Sequence, residues 1–336
     1  MYLYPEQKLQ NGRYTVDREL GRGRFAITYL ATHSNGDRWV IKILDPALLQ
    51  SLGPTERDRL KTMFLNEGIA LARCSGKSPY IVRIDPPFEE NGIACLPLEY
   101  MGNNTLADRP ERILPEKVAL EYIRQVGEAL AIVHGKKLVH RDIRPGNIFL
   151  VPRQDHTEAV LTDFGLVMDF DAELTQTRTQ AQIKGFSPIE LFVSTGQRVG
   201  PYTDVYSLAA TLYEMLTGKV PVDAFTRKVK QGDLVTPQVH NPEISGKVAK
   251  AIMAGMALEP EQRPQTLAAW LKLLGGGEAG FNRDPNSHPK PSVNWEKWGV
   301  IWAAVAVIVT LMLWMGDKLM PEPDRSQPNP TEQQQP

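Results

Sequence analysis

Cysteine is nearly missing from this chain: Cys74 and Cys95 are the only two in 336 residues. Two thiols without metal-ligand spacing exclude a disulfide framework, fit a reducing compartment and read as small buried hydrophobes. An excess of either charge is missing too, with 38 Lys and Arg against 39 Asp and Glu. No basic face is advertised to a phosphate backbone, so nucleic acid is not expected as a partner. The opening "MYLYPEQKLQNG" has neither the basic region nor the apolar run of a secretory signal, which places the N-terminal part in the cytoplasm. No internal repeat is visible. What is present is 42% hydrophobic residues, enough for a sizeable core in one large domain or two lobes.

Short β-prone runs at 14–31 and 38–44 flank Asn35-Gly36, a hairpin-turn signal, and predict antiparallel sheet. Leu60, Phe64, Ile69 and Leu71 fall at helical spacing and predict an amphipathic helix over 57–74. Further helical patterns cover 115–134, 204–217, 246–258 and 265–274. A mostly β first part followed by a mostly helical second part is an α+β arrangement. At 275–297 Gly, Pro, Asn and charge replace any apolar period, which reads as a linker. The run "WGVIWAAVAVIVTLMLWMG" at 298–316 holds no charge and places Trp298, Trp302 and Trp314 near its ends. As a helix it would extend about 28 Å, close to the hydrocarbon thickness of a bilayer, and it reads as a single membrane span. The Pro- and Gln-rich stretch 317–336 is too polar to fold, and so short a tail holds no ligand-binding ectodomain.

Three stretches carry chemistry. "LGRGRFAITYLA" puts glycines in a turn between strand-like runs, where backbone N–H groups can approach phosphate oxygens. "WVIKIL" sets Lys42 on an otherwise apolar strand, and a buried ammonium needs a carboxylate and an anion. Glu67 is the candidate carboxylate, because helical spacing puts it on the face of Leu71 and Met63 or Phe64. In "LVHRDIRPGNIFL" Asp142 and Asn147 stand beside apolar runs, and "LTDFGLV" adds Asp163. Taken alone, the first of these is an ordinary Pro-Gly surface loop. Together, Asp142, Asn147 and Asp163 form an oxygen set suited to Mg²⁺, with Lys42 and the glycine turn supplied for phosphates.

In this order the motifs resemble the protein kinase superfamily, specifically bacterial membrane-anchored Ser/Thr kinases of eukaryotic-like type. The resemblance implies a bilobal protein kinase fold over 14–274, with a small β-rich N-lobe and a larger helical C-lobe, followed by the linker and one transmembrane helix. It implies ATP and Mg²⁺ as cofactors and protein hydroxyls as substrates. Nucleotide contacts then fall to Gly21, Arg22, Gly23, Ala26, Thr28, Val40, Lys42 and Glu67, with Glu99 and Met101 of "LEYM" at the adenine edge. Asp142 becomes the base, Asn147 and Asp163 the metal ligands, and Arg141 a catalytic-loop cation that meets phosphate on an activation loop carrying Thr175, Thr177 and Thr179. "DVYSLAATLYEMLTG" resembles the family's central buried helix, and Arg263 the arginine that pairs with Glu190.

This sequence departs from the pattern in three places. "SPIE" at 187–190 replaces A-P-E but keeps the glutamate; Ala26 replaces the last loop glycine; Arg144 and Ile183 replace a linked lysine and threonine, which loosens the Ser/Thr assignment. A pseudokinase or scaffold is the alternative from another class, opposed by the intact Lys42, Glu67, Asp142, Asn147 and Asp163. A small-molecule phosphotransferase is opposed by Arg263 and the activation segment. The expected location is the cell membrane, single-pass, with the kinase domain cytoplasmic. Arg283, Lys290 and Lys297 before the span against Lys318 and Arg325 after it lean the same way, and a homodimer is compatible with this layout.

Overall fold

In the computed structural model the described residues are 2–23, 25–164, 185–192, 199–230 and 232–275. The expected span at 298–316, Thr175, Thr177, Thr179 and Ile183 lie outside them. Among the described residues no helix is long and apolar enough to cross a membrane.

Period-two alternation builds the first half. Strands β1 (Lys8–Leu9), β2 (Tyr14–Arg22), β3 (Ala26–His33), β4 (Arg38–Leu44), β5 (Phe88–Glu90) and β6 (Ile93–Glu99) form one antiparallel sheet in the order β1-β2-β3-β4-β6-β5. In β4, Trp39, Ile41 and Ile43 point to one face and join Tyr14, Val16 and Tyr29 in a core of their own. The intervening Val40 faces the other core, and Lys42 shares its side by the same alternation. That second face receives α2 (Pro54–Ala72) through Leu60, Phe64, Gly68 and Leu71. Ile69, expected on the apolar stripe, instead lies 41% exposed, because Gly68 takes the close approach to Leu96 and Pro87. A short helix, α1 (Pro46–Ser51), starts at Asp45, whose carboxylate caps Ala47 N at 2.8 Å.

The second half is helical around one buried rod. Helix α4 (Pro201–Thr217) is buried from Thr203 to its end and stops where Gly218 takes a left-handed φ of 66°, open to glycine without a Cβ clash. Around it pack α3 (Glu116–Gly135), α6 (Gly246–Gly255) and α7 (Leu267–Leu273), while the shorter α5 (Ala224–Lys230) follows α4 in the chain. A β7 (Ile148–Pro152) and β8 (Thr157–Leu161) hairpin lies against α3, with Asn147 and Thr162 just beyond its ladder at the open end. The four predicted helices of this half are present within a few residues; the sequence reading did not anticipate β1, α1 or α5.

One contact expected from the sequence closes this lobe. Arg263 grips Glu190 with two hydrogen bonds, 2.7 Å and 3.0 Å, both side chains fully buried. Thr203 Oγ1 adds a third donor to Glu190, and the guanidinium also lies over the Tyr206 ring. The change from A-P-E to "SPIE" therefore leaves the pair whole. A second buried pair, Arg109 to Glu214 at 2.8 Å, was not foreseen; it ties the loop before α3 to the last turn of α4.

Candidate active site

Sheet register delivers the small-lobe residues. Thr28 on β3, Lys42 on β4 and Leu96 on β6 are cross-strand partners, so their side chains share a face. Thr28 Oγ1 donates to the Gly21 carbonyl across the β2–β3 pair at 3.1 Å, and Gly23 N donates to Ala26 O at 2.8 Å. Ala26 opens β3 paired with Leu44 on strand backbone, where a Cβ is at home, so the missing third glycine removes no conformation that the observed turn uses. The Arg22 guanidinium, expected toward nucleotide, is engaged on Glu19 at 3.1 Å; only its backbone belongs to the turn. At the end of β6, Glu99 N donates to Arg83 O and Tyr100 N to Arg38 O. Among the described residues nothing pairs with the Met101 backbone N–H and C=O, which leaves them for a planar heterocycle's edge.

The loop between α3 and β7 is set by a carboxylate from α4. Asp204, fully buried, accepts from His140 N at 2.8 Å, Arg141 N at 2.8 Å and His134 Nε2 at 2.8 Å. A buried charge is tolerable only when so fully paired. These bonds hold Arg141 at a φ of 69°, a strained left-handed conformation for a long side chain. His140 is buried and neutral: its Nε2–H donates to Thr162 O at 2.9 Å, its Nδ1 accepts from Asp142 N at 3.3 Å, and burial pushes its pKa down. The imidazole thus ties the loop to the end of β8.

Hairpin register then brings Asn147 and Asp163 together. Ile148 pairs with Leu161, and Thr162 N donates to Asn147 O at 3.0 Å, so the residues just outside the ladder are neighbours. Both Asn147 amide hydrogens go to Asp142, one to its backbone O at 2.7 Å and one to Oδ2 at 2.8 Å. The amide oxygen is thereby turned away from Asp142, and among the described residues no group donates to it. A carboxamide oxygen and the Asp163 carboxylate are hard donors of the kind Mg²⁺ takes, so the residues fit that cation. Arg144 Nε sits 3.4 Å from Asp142 Oδ1, placing a cation where the family pattern has lysine.

Lys42 meets Asp163 across the two lobes at 3.0 Å. The sequence reading gave the ammonium to Glu67; the ion pair found in the structure is with Asp163, a partner 121 residues away that helical spacing could not reveal. Glu67 itself is half-buried on α2. The Lys42 ammonium holds the Asp163 carboxyl below the usual carboxylate range, against burial, which acts the other way. A depressed folded-state pKa gives stability that is full above the unfolded value near 4 and is lost as pH falls through the folded value. With the Asp163 side chain 44% exposed, screening keeps this to about 1 kcal/mol or less. Urea midpoints should show wild type above Asp163→Asn at pH 7 and the gap closing below about pH 4; a gap independent of pH would dismiss the pair. Asparagine suits the comparison, because it tolerates the Asp163 φ of 54° as aspartate does.

Of the residues read from the sequence, Lys42 and Asp163 stand together, as do Asp142 and Asn147, and the Arg22 side chain is engaged on Glu19. His134, His140 and Asp204 were missed. An acid at the start of an otherwise apolar helix was the available signal for Asp204, His140 stands at the head of the loop motif that holds Arg141 and Asp142, and His134 gave no signal.

Comparison with known proteins gives a match of residues 14–270 to the protein kinase domain family. The chain is 29% identical over 226 residues to the serine/threonine-protein kinase pkn2 of Myxococcus xanthus, covering 66% of this chain and 26% of that protein. It is 30% identical over 286 residues to a probable serine/threonine-protein kinase of Clostridium acetobutylicum, covering 82% of this chain and 41% of the other. The chain thus spans less than half the length of these curated relatives. Among solved structures, the apo form of PpkA-294 superposes with a TM-score of 0.65 at 26% identity, over 81% of this chain and 99% of that one.

Proposed function

Because this chain belongs to the protein kinase family, we propose that it is a Mg-ATP-dependent serine/threonine protein kinase that phosphorylates protein hydroxyls, its own included, while anchored in a membrane by residues 298–316. The observation that carries this reading is the meeting of Lys42 and Asp163 at 3.0 Å beside an Asp142 whose Oδ2 is fixed by Asn147. Bound Mg-ATP would supply the phosphoryl group and the cation that spreads its charge. Lys42 and the N–H groups of the glycine turn would hold its negative oxygens, and Asn147 and Asp163 would hold the cation. Asp142 orients the incoming hydroxyl and takes its proton on a carboxylate oxygen, with Arg144 nearby to balance charge. Positioning and charge placement do most of the work.

The names of the relatives support serine and threonine as acceptors. Membrane attachment rests on the uncharged run with its tryptophan ends, and the reducing-compartment composition and basic residues before the run support a cytoplasmic catalytic domain. Self-phosphorylation rests on Thr175, Thr177 and Thr179, placed between Asp163 and Glu190.

One experiment tests the whole. The full chain is expressed, membranes are washed at high salt, and the detergent-released protein is incubated with labelled Mg-ATP and a generic basic protein. Label on serine or threonine of the added protein, and phosphate mapped to 175–179 of the chain, are expected. Label confined to small hydroxyl compounds would mean a small-molecule phosphotransferase, and nucleotide binding without transfer a scaffold. Activity left in the salt wash would remove the anchor.

A further inference from the structure

The family match begins at residue 14, yet the residues before it are built into the small lobe. Leu3 and Leu9 are buried with Tyr14, Val16, Tyr29 and Trp39 in one core. Strand β1 pairs with β2, Lys8 opposite Thr15 and Leu9 opposite Tyr14. Two backbone bonds on the N-terminal side, Glu6 N to Val16 O at 2.8 Å and Val16 N to Gln7 O at 2.9 Å, fasten the segment to the same strand. This strap delivers Tyr2 to the far end of β2. There the Arg22 guanidinium stands 4.9 Å from the Tyr2 ring centroid, within cation–π range.

Arg22 is a junction. Its guanidinium lies 3.1 Å from Glu19 and 3.9 Å from Asp45, and Asp45 N in turn donates to Phe25 O on the other side of the glycine turn at 2.8 Å. The backbone of Arg22 separates Gly21 from Gly23, whose lack of side chains leaves the turn little stiffness of its own. Contacts from outside add to the order that the β2–β3 pairing and the Gly23 N to Ala26 O bond already give this turn, and any order present beforehand lowers the cost of binding.

We propose that Tyr2 is a positioning residue for nucleotide: carried on the strap, its ring pins Arg22 and through it the turn between Gly21 and Gly23. The proposal rests on the nucleotide-binding reading above. Tyr2 acts on affinity and not on the chemical step, since it touches neither Asp142 nor Asp163. The ring, being 42% exposed, can be removed without opening the core that Leu3 and Leu9 fill.

The test is calorimetric binding of a non-hydrolysable ATP analogue with Mg²⁺ to the full chain, as wild type, Tyr2→Ala and Tyr2→Phe, with melting curves taken without nucleotide. An exposed cation–π contact corresponds to a weakening of about 2- to 5-fold in Tyr2→Ala, with KM for ATP rising in step and kcat held. Tyr2→Phe keeps the ring and loses only the hydroxyl, which also hydrogen-bonds Arg22, so it should weaken binding less than Tyr2→Ala does, and the three melting temperatures should coincide. Unchanged binding in Tyr2→Ala, equal weakening in Tyr2→Phe, or weakening matched by a lower melting temperature would each overturn the role. Wild type that fails to bind the analogue would overturn the kinase reading and this inference with it. Wild type that binds while Tyr2→Ala binds equally well would overturn only the strap.

Discussion

Asp142→Asn should cost about 10²- to 10⁴-fold in phosphoryl transfer, the range a positioned general base supplies, while leaving Mg-ATP binding and the melting temperature near wild type. The substitution is close to isosteric and the site is partly open, with 38% of the Asp142 side chain exposed, so the fold has little reason to respond. What changes is the acceptor. Asp142 offers Oδ2 to Asn147 Nδ2 at 2.8 Å and Oδ1 to Arg144 Nε at 3.4 Å. An amide keeps one acceptor and turns a donor toward the other partner, so it can neither take a proton nor satisfy both neighbours. Single-turnover transfer to a peptide, read beside nucleotide binding, separates loss of base from loss of site. Near-normal turnover would remove Asp142 from its role.

The largest stability effect should come from Arg263→Met. Methionine roughly keeps the side chain's length but abandons a Glu190 carboxylate that is wholly buried. Breaking a buried pair from one side costs about 3–5 kcal/mol, because the surviving charge has no water to return to. For a domain of this size that corresponds to a fall of roughly 10 °C in melting temperature. Removing both charges with Glu190→Leu and Arg263→Met should be milder than either single change, since a well-packed apolar pair can replace an ion pair at little cost. Thr203 and the carbonyls of Ala257 and Leu258 lose partners in the double variant, so recovery should be partial. Denaturant unfolding of the four proteins completes the cycle, and a single variant within about 1 kcal/mol of wild type would show that the pair carries no such burden.

The residues proposed to do chemistry were readable because their motifs are local. Asp142 and Asn147 are five apart, and Asp163 follows an apolar strand. Arg263 and Glu190 were found only through the family pattern, since 73 residues separate them. What could not be read was pairing fixed by tertiary placement. Lys42 needed a carboxylate, and helical spacing offered Glu67, but the lobes bring Asp163 instead. Asp204 looked like a polar start to an apolar helix, and only folding sets it against His134, His140 and Arg141. The first thirteen residues were read for the absence of a signal peptide; their burial depends on a β2 edge that no spacing within them encodes.

Asp204 also decides where this protein can tolerate change. The bend that presents Asp142 is not self-supporting: two consecutive backbone amides, one in a costly left-handed conformation, are held by a single carboxylate on α4. Helix α4 supplies none of Lys42, Asp142, Asn147 and Asp163, yet its axial position is the ruler against which the Asp142 carboxylate is measured. A library of variants scored for turnover should therefore show an island of intolerance running along a buried helix, as severe as the catalytic loop's own. Surface positions much nearer the cleft should drift freely, and distance from the chemistry would be a poor guide to which residues evolution can spend.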